Sequence, residues 1–156
     1  MFWTGDNTAH DNPWYTEEEV TESLEAIIST VQNAFSNKMD RTFVSLGNHD
    51  AYPWNNWNFA DNYPDSDVLE LLHNWVPKEQ HANYDDHGYY SKDIPELKAR
   101  VISINSESCD IRNMYQWTAL SDPNGLFGFL ELQLAEAEQM GYKALFLGHI
   151  PDECSH

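Results

Sequence analysis

The stretch Thr42-Phe43-Val44-Ser45-Leu46-Gly47-Asn48-His49-Asp50 decides the fold of this chain. Its first five residues are rich in β-branched and aromatic side chains and predict a short strand, which Gly47 ends. In open α/β sheets, ligands collect at the carboxyl ends of the strands. Because Asn48 and His49 supply little packing at such a position, the sequence indicates a site there.

Two other segments repeat this order of strand, glycine and polar side chain. Residues 2–4 read as the end of a strand and run into Gly5-Asp6, and residues 143–147 run into Gly148-His149-Ile150-Pro151. Each segment alone has an ordinary interpretation as a turn or a loop cap. All three in this order predict that Asp6, Asn48 and His149 converge, with the glycines permitting close backbone approach.

The first helix is marked by a capping box, with Thr16 as N-cap and Glu19 three residues later. Apolar residues behind it recur at intervals of three and four, which predicts an amphipathic helix; they are Val20, Leu24, Ile27, Ile28, Val31, Ala34 and Phe35. A strand, a helix and a second strand in this order imply a right-handed crossover and a parallel strand pair.

The rest of the chain continues the α/β pattern. Residues 51–66 read as a long loop. We expect a second helix around 68–75, strands at 89–91 and 100–104 that pair through a turn near Pro95, and a strand at 143–147. A third helix should end at Gly141, with Phe127, Leu130, Leu134 and Ala137 on its apolar side.

Composition restricts the function further. The 156 residues suit one domain, and 8 basic against 26 acidic side chains give a net charge of −18. Such a surface repels nucleic-acid phosphates, so we expect no nucleic-acid polymer as partner. No run of 18 apolar residues predicts a membrane span, and the first residues do not resemble a signal peptide.

The polar residues at the three strand ends suit divalent cations. A carboxylate such as Asp6 can bridge two cations, Asn48 offers a neutral oxygen, and His149 a nitrogen suited to zinc. Paired cations can hold a hydroxide and stabilise both oxygens of an in-line displacement. We expect His49 to donate a proton to the leaving group, and His10 to donate a proton or to hydrogen-bond a phosphoryl oxygen.

At these motifs the sequence resembles the calcineurin-like metallophosphoesterases, and within them the acid sphingomyelinase-like phosphodiesterases. Residues 5–11, Gly-Asp-Asn-Thr-Ala-His-Asp, look like that family's Gly-Asp-x-x-x-His-Asp loop. Residues 47–53 look like its Gly-Asn-His-(Asp/Glu)-x-x-Pro motif. Residues 102–105, Cys109, Asp122-Pro123 and residues 148–151 follow in the expected order.

The resemblance implies a layered β-sheet sandwich flanked by helices and a site with two zinc ions, other divalent metals staying open. Asp6 would bridge both ions, and Asn48 and His149 would bind the second. His49 and His10 would attend the leaving group and the phosphoryl oxygens. Asp11 and Asp50 read as turn-forming carboxylates that support the site.

Two family motifs are missing, an early Asp-x-His and a late Gly-His-x-His. We therefore expect residues 1–156 to be the central part of a single catalytic domain, incomplete at both ends. The implied reaction is hydrolysis of sphingomyelin, a phospholipid diester, to ceramide and phosphocholine. Alternatives are a nucleotide or polyphosphate hydrolase of the same superfamily, or a non-catalytic remnant that acts as an interaction module.

The aromatic residues and the cysteines leave further alternatives. Trp54, Trp57 and Trp75 are interpreted either as holding a choline ammonium or a base near the site, or as packing loops or facing lipid in a peripheral contact. Cys109 and Cys154 are either free thiols or one disulfide, and the resemblance favours the disulfide. That pairing predicts a secreted or lysosomal protein.

Overall fold

The structure is a computed structural model that describes residues 1–9, 14–58, 66–118 and 122–151. His10, Asp11 and Cys154 lie outside these residues, so the predictions made for them are not tested by it. The pairing of Cys109 with Cys154 stays a prediction for the same reason.

The described residues form five strands and four α-helices. The strands are β1 (Phe2–Trp3), β2 (Phe43–Val44), β3 (Tyr90–Ile94), β4 (Ala99–Ser103) and β5 (Lys143–Leu147). The α-helices are α1 (Glu17–Ala34), α2 (Ser66–Leu72), α3 (His81–His87) and α4 (Leu126–Met140). Short 3-10 helices complete the connections, including Ser106–Cys109 after β4. The predicted α/β class is confirmed.

The strands form two small sheets. β1 and β2 are parallel, with Phe2 opposite Phe43, as the helix between them requires. β4 lies between β3, which is antiparallel to it, and β5, which is parallel to it. The Ser103 hydroxyl donates a hydrogen bond to the carbonyl oxygen of Val44 at 2.6 Å, so β4 lies beside β2. The layered sandwich implied by the resemblance stays a prediction.

Helix α1 forms as its capping box predicts. The Glu19 N–H donates to the Thr16 hydroxyl at 3.3 Å, and the Thr16 N–H donates to the Glu19 carboxylate at 2.9 Å. The buried face is narrower than predicted, because Ile27 and Phe35 are exposed. The buried residues are Val20, Leu24 and Ile28, which join a core that contains Trp57, Trp75, Tyr84 and Tyr90.

Two predictions on helices are corrected. α3 was not predicted, since its sequence His-Ala-Asn-Tyr-Asp-Asp-His has little apolar periodicity. The predicted apolar side of α4 is wrong in part: Phe127 and Leu134 are 49% and 41% exposed. Instead Gln133 is buried, because it accepts hydrogen bonds from the Ser91 hydroxyl and the Arg100 guanidinium.

Among the helices of the described residues, none is both long enough and apolar enough to cross a bilayer.

Candidate metal centre

Two glycines allow the loops after β1 and β2 to touch. A Cβ on Gly5 would lie 2.1 Å from the backbone nitrogen of Gly47, and a Cβ on Gly47 would lie 2.4 Å from that of Asp6. Gly5 also has a φ of 77°, in the left-handed region that glycine tolerates. No other residue type fits at either position without moving the backbone, and this close approach brings Asp6 next to Asn48 and His49.

Asp50 holds the two loops together. It is fully buried, and one carboxylate oxygen accepts the N–H groups of Gly47 and Asp6 at 2.8 and 3.1 Å. The other oxygen accepts the backbone N–H and the side-chain amide of Asn7 at 2.9 and 3.1 Å. Burial raises the pKa of Asp50, while these backbone hydrogen bonds lower it. Asp50 thus supports the loop that carries Asp6, in the role that the sequence predicted.

The structure brings together the three side chains predicted to be metal ligands. His149 Nε2 lies 2.9 Å from Asn48 Oδ1 and 3.2 Å from Asp6 Oδ2. The Asn48 amide donates its own N–H to Asn55 at 2.8 Å, which turns its oxygen toward His149. One carboxylate oxygen, one amide oxygen and one imidazole nitrogen therefore face the same point, from three separate loops.

The imidazole of His149 is oriented by contacts on the side of the ring opposite Nε2 and by its backbone. Its Nδ1 lies 2.6 Å from the Thr4 carbonyl oxygen, and its backbone N–H donates to the Ser106 hydroxyl at 3.3 Å. A ring N–H donated to a backbone carbonyl fixes the orientation of the ring and leaves Nε2 for a ligand. These contacts therefore aim Nε2 at Asp6 and Asn48.

Asp6 and His149 perturb each other's protonation. Burial alone would raise the pKa of Asp6, but hydrogen bonds from His149 and from the His49 backbone hold it well below its usual range. The hydrogen bond to Asp6 raises the pKa of His149, against the opposing effect of desolvation. A carboxylate that stays ionised is the form that binds cations.

His49 lies beside the cluster rather than in it. Its backbone N–H donates to Asp6 Oδ1 at 3.0 Å, and its ring centroid lies 4.2 Å from that of Trp54. Next to this pair is a cleft of about 330 Å³ lined by Tyr15, Tyr52, Pro53, Trp54 and Asn55. Of the three tryptophans considered from sequence, Trp54 reaches this cleft, whereas Trp57 and Trp75 are buried in the core and are packing residues.

Sequence reasoning missed several residues of this region. Asn55 and Ser106 orient Asn48 and His149, and Glu107 is a buried carboxylate beside Ser106. The available signal was position: the Asn105-Ser106-Glu107-Ser108 run comes directly after a predicted strand, where ligand-binding residues collect.

The donor set at this point fits a divalent cation. A carboxylate oxygen, an amide oxygen and an imidazole nitrogen are ligands that zinc and related ions accept. Among the described residues, no group of three or more His, Cys, Asp or Glu side chains is arranged to hold a metal ion. Asp6 and His149 supply two side chains of those types, and the amide of Asn48 supplies the third donor.

Comparison with known proteins identifies relatives over nearly the whole chain. Acid sphingomyelinase-like phosphodiesterase 3b of Mus musculus is 28% identical over 97% of this chain and 33% of its own length. Sphingomyelin phosphodiesterase A of Dictyostelium discoideum is 34% identical over 97% of this chain and 26% of its own length. Endopolyphosphatase of Schizosaccharomyces pombe is 31% identical over 97% of this chain and 27% of its own length.

No protein-family model matches the chain. The chain spans a third or less of the length of these three curated relatives. Within that span the similarity runs through all three loops of the candidate centre, since it covers 97% of the chain. Over nearly its whole length this chain is therefore similar to acid sphingomyelinase-like phosphodiesterases, sphingomyelin phosphodiesterases and an endopolyphosphatase.

Proposed function

We propose that this chain forms part of a metal-dependent hydrolase of phosphodiesters, with Asp6, Asn48 and His149 as ligands of divalent cations. The observation that carries the proposal is the position of His149 Nε2, within 3.2 Å of both Asp6 Oδ2 and Asn48 Oδ1. Simple loop capping does not require three separate strand ends to bring a carboxylate, an amide and an imidazole to one point. The names of the relatives, which are phosphodiesterases and a polyphosphatase, support the same chemistry.

Zinc is the metal that we propose, and Asp6, Asn48 and His149 would hold it, with the carboxylate of Asp6 shared between two ions. When bound, such a pair activates a water molecule as nucleophile and stabilises charge on the phosphoryl oxygens. Asp6 stays ionised to bind cations because its neighbours lower its pKa. Asn48 and His149 are oriented by Asn55 and by the Thr4 carbonyl, so their donor atoms need little rearrangement.

His49 is the proposed proton donor to the leaving-group oxygen. Its backbone N–H donates to Asp6 Oδ1 and its ring centroid lies 4.2 Å from that of Trp54, which places an imidazole, the usual acid–base group, beside the proposed ligands. The leaving group would then lie in the cleft next to Trp54. His10 is proposed, from sequence alone, to contact the phosphoryl oxygens.

Sphingomyelin is the proposed substrate, as in the relatives whose names carry it. A second candidate is polyphosphate, because a relative named endopolyphosphatase is 31% identical over the same span. A secreted or lysosomal location and a disulfide between Cys109 and Cys154 belong to the same proposal.

Zinc binding and hydrolysis, measured on the same preparations, test the function. We expect the chain, extended by an early Asp-x-His and a late Gly-His-x-His motif, to bind zinc in equilibrium dialysis, and to release p-nitrophenol from bis(p-nitrophenyl) phosphate only when zinc is present. Asp6→Asn should lose both properties, because an amide bridges two cations poorly. Release of phosphocholine from sphingomyelin, compared with shortening of polyphosphate, distinguishes the two substrates.

A control variant shows whether loss of zinc binding is specific to the proposed ligands or follows from removal of any histidine. His81→Ala removes an imidazole that contacts the carbonyls of His73 and Val76, and it should leave zinc binding unchanged. Equal zinc binding by the wild-type chain and Asp6→Asn would refute the proposed site. Zinc bound without hydrolysis of any of these substrates would favour the alternative of a non-catalytic module.

A further inference from the structure

Glu107 is a buried carboxylate with no evident structural role. It lies in the 3-10 helix Ser106–Cys109 and is 1% exposed. Neither of its carboxyl oxygens has a hydrogen-bond partner among the described residues. Burying a carboxylate without hydrogen bonds or an opposite charge is costly, so such a residue calls for an explanation.

Arg112 and His149 supply only part of the opposite charge, because both lower the pKa of Glu107 by less than burial and Asp110 raise it. Arg112 is directed to Asp110, with its guanidinium 2.9 Å from that carboxylate. Burial, followed by the charge of Asp110, raises the pKa of Glu107 to about 8. In the absence of a further positive charge, Glu107 is therefore held largely in its neutral form at neutral pH.

Glu107 borders the candidate metal centre. The hydroxyl of the preceding residue, Ser106, accepts the backbone N–H groups of His149 and Ile150 at 3.3 and 3.0 Å. The charge of His149 lowers the pKa of Glu107 and that of Asp6 raises it, so the three groups interact electrostatically. A divalent cation bound between Asp6 and His149 would add to the positive charge that Arg112 and His149 supply to Glu107.

We propose that Glu107 is a charge-balancing residue of this centre, whose buried carboxylate strengthens the binding of a divalent cation at Asp6, Asn48 and His149. The inference rests on the proposed function. Asp6 is the only carboxylate among these three ligands, so a second buried negative charge is favourable for a doubly charged ion. In a low-dielectric interior such a charge acts over several ångströms without direct coordination. Glu107 is accordingly a positioning residue and not a ligand.

The test compares zinc affinities by isothermal titration calorimetry. Glu107→Gln keeps the size of the side chain and removes its charge, and we expect zinc affinity to fall by about tenfold or more. Glu107→Asp keeps the charge and should restore a large part of that loss. A purely structural role predicts the reverse order, because Asp changes the shape of the side chain more than Gln does.

A matched control and a salt series exclude a general effect of net charge. Glu131→Gln makes the same charge change on the exposed surface of α4. Its effect on zinc affinity should be small and should vanish at high salt, whereas the effect of Glu107→Gln should persist because buried charges are screened little.

Three outcomes are distinguishable. Weaker binding by Glu107→Gln, with recovery in Glu107→Asp, supports the inference. Zinc binding by the wild-type chain with equal affinity in Glu107→Gln overturns the inference and leaves the proposed function standing. No zinc binding by the wild-type chain overturns both.

Discussion

At the scale of single residues, His49 separates metal binding from proton transfer. The contact between His49 and Asp6 is made by the His49 backbone N–H, which an alanine retains. We therefore expect His49→Ala to keep its zinc content and to lose about 10²–10⁴-fold in turnover, the range typical of a general acid. Zinc content by elemental analysis and turnover with bis(p-nitrophenyl) phosphate measure the two effects on one sample. Loss of zinc in this variant would reassign His49 as a ligand.

Glu107 should also make stability depend on pH. Its pKa in the folded chain is about 8, above the 4.5 that is usual for a glutamate, so between these values the folded state holds a proton that the unfolded state releases. The free energy of unfolding should therefore fall as pH rises from about 5 to about 8. One pKa unit corresponds to about 1.4 kcal/mol, so the loss should reach a few kcal/mol.

Urea unfolding of the zinc-free chain, followed by tryptophan fluorescence, measures this dependence. Glu107→Gln should match the wild-type chain near the low end of this pH range and exceed its stability at the high end. Glu131→Gln is the control for a surface carboxylate. A constant difference between Glu107→Gln and the wild-type chain across the range would contradict the burial of an ionisable Glu107.

The sequence predicted which residues come together better than it predicted what supports them. Asp6, Asn48 and His149 each follow a strand and a glycine, and that local pattern was sufficient to predict that they converge, although their strands belong to two sheets. Asn55 lies in a loop and Glu107 in a short 3-10 helix, and the position of both depends on contacts between segments distant in sequence. No periodicity in the chain encodes such contacts.

At the scale of elements, the capping box of α1 gives a prediction of defined size. The Thr16 hydroxyl accepts the N–H of Glu19, which would otherwise lack a partner in the first turn of the helix. Thr16→Ala should lower the free energy of unfolding by about 1 kcal/mol, measured by urea unfolding. Thr21→Ala is the matched control, since the Thr21 hydroxyl only donates to the carbonyl of Glu17 within the helix. An equal effect of both substitutions would show that the cap adds nothing beyond helix propensity.

The elements differ in how well the sequence predicted them, and packing explains the difference. α1 was predicted because its cap and its apolar repeat are both local signals. The buried face of α4 was predicted incorrectly because Gln133 is buried through polar contacts with Ser91 and Arg100 on the adjacent strands. A pattern that scores only apolar residues assigns Gln133 to the surface.

At the scale of the whole molecule, negative charge dominates. With a net charge of −18, the folded chain brings many carboxylates closer together than the unfolded chain does. Salt reduces this repulsion, since the Debye length falls from about 30 Å to about 8 Å between about 0.01 M and 0.15 M ionic strength. The same salt weakens the surface ion pair between Arg41 and Glu96. This loss is small, because both side chains are more than half exposed and exposed ion pairs contribute little to the free energy of unfolding.

We therefore expect sodium chloride to stabilise the zinc-free chain over this range, by on the order of 1 kcal/mol. Thermal unfolding at several chloride concentrations measures the change. Because the effect comes from the sum of many charges, Glu131→Gln should reduce it only slightly. A fall in stability with salt would mean that specific ion pairs, such as those of Arg100 with Asp93 and Glu136, outweigh the net repulsion. The negative charges of the surface would then be balanced by neighbouring basic side chains rather than by cations from solution.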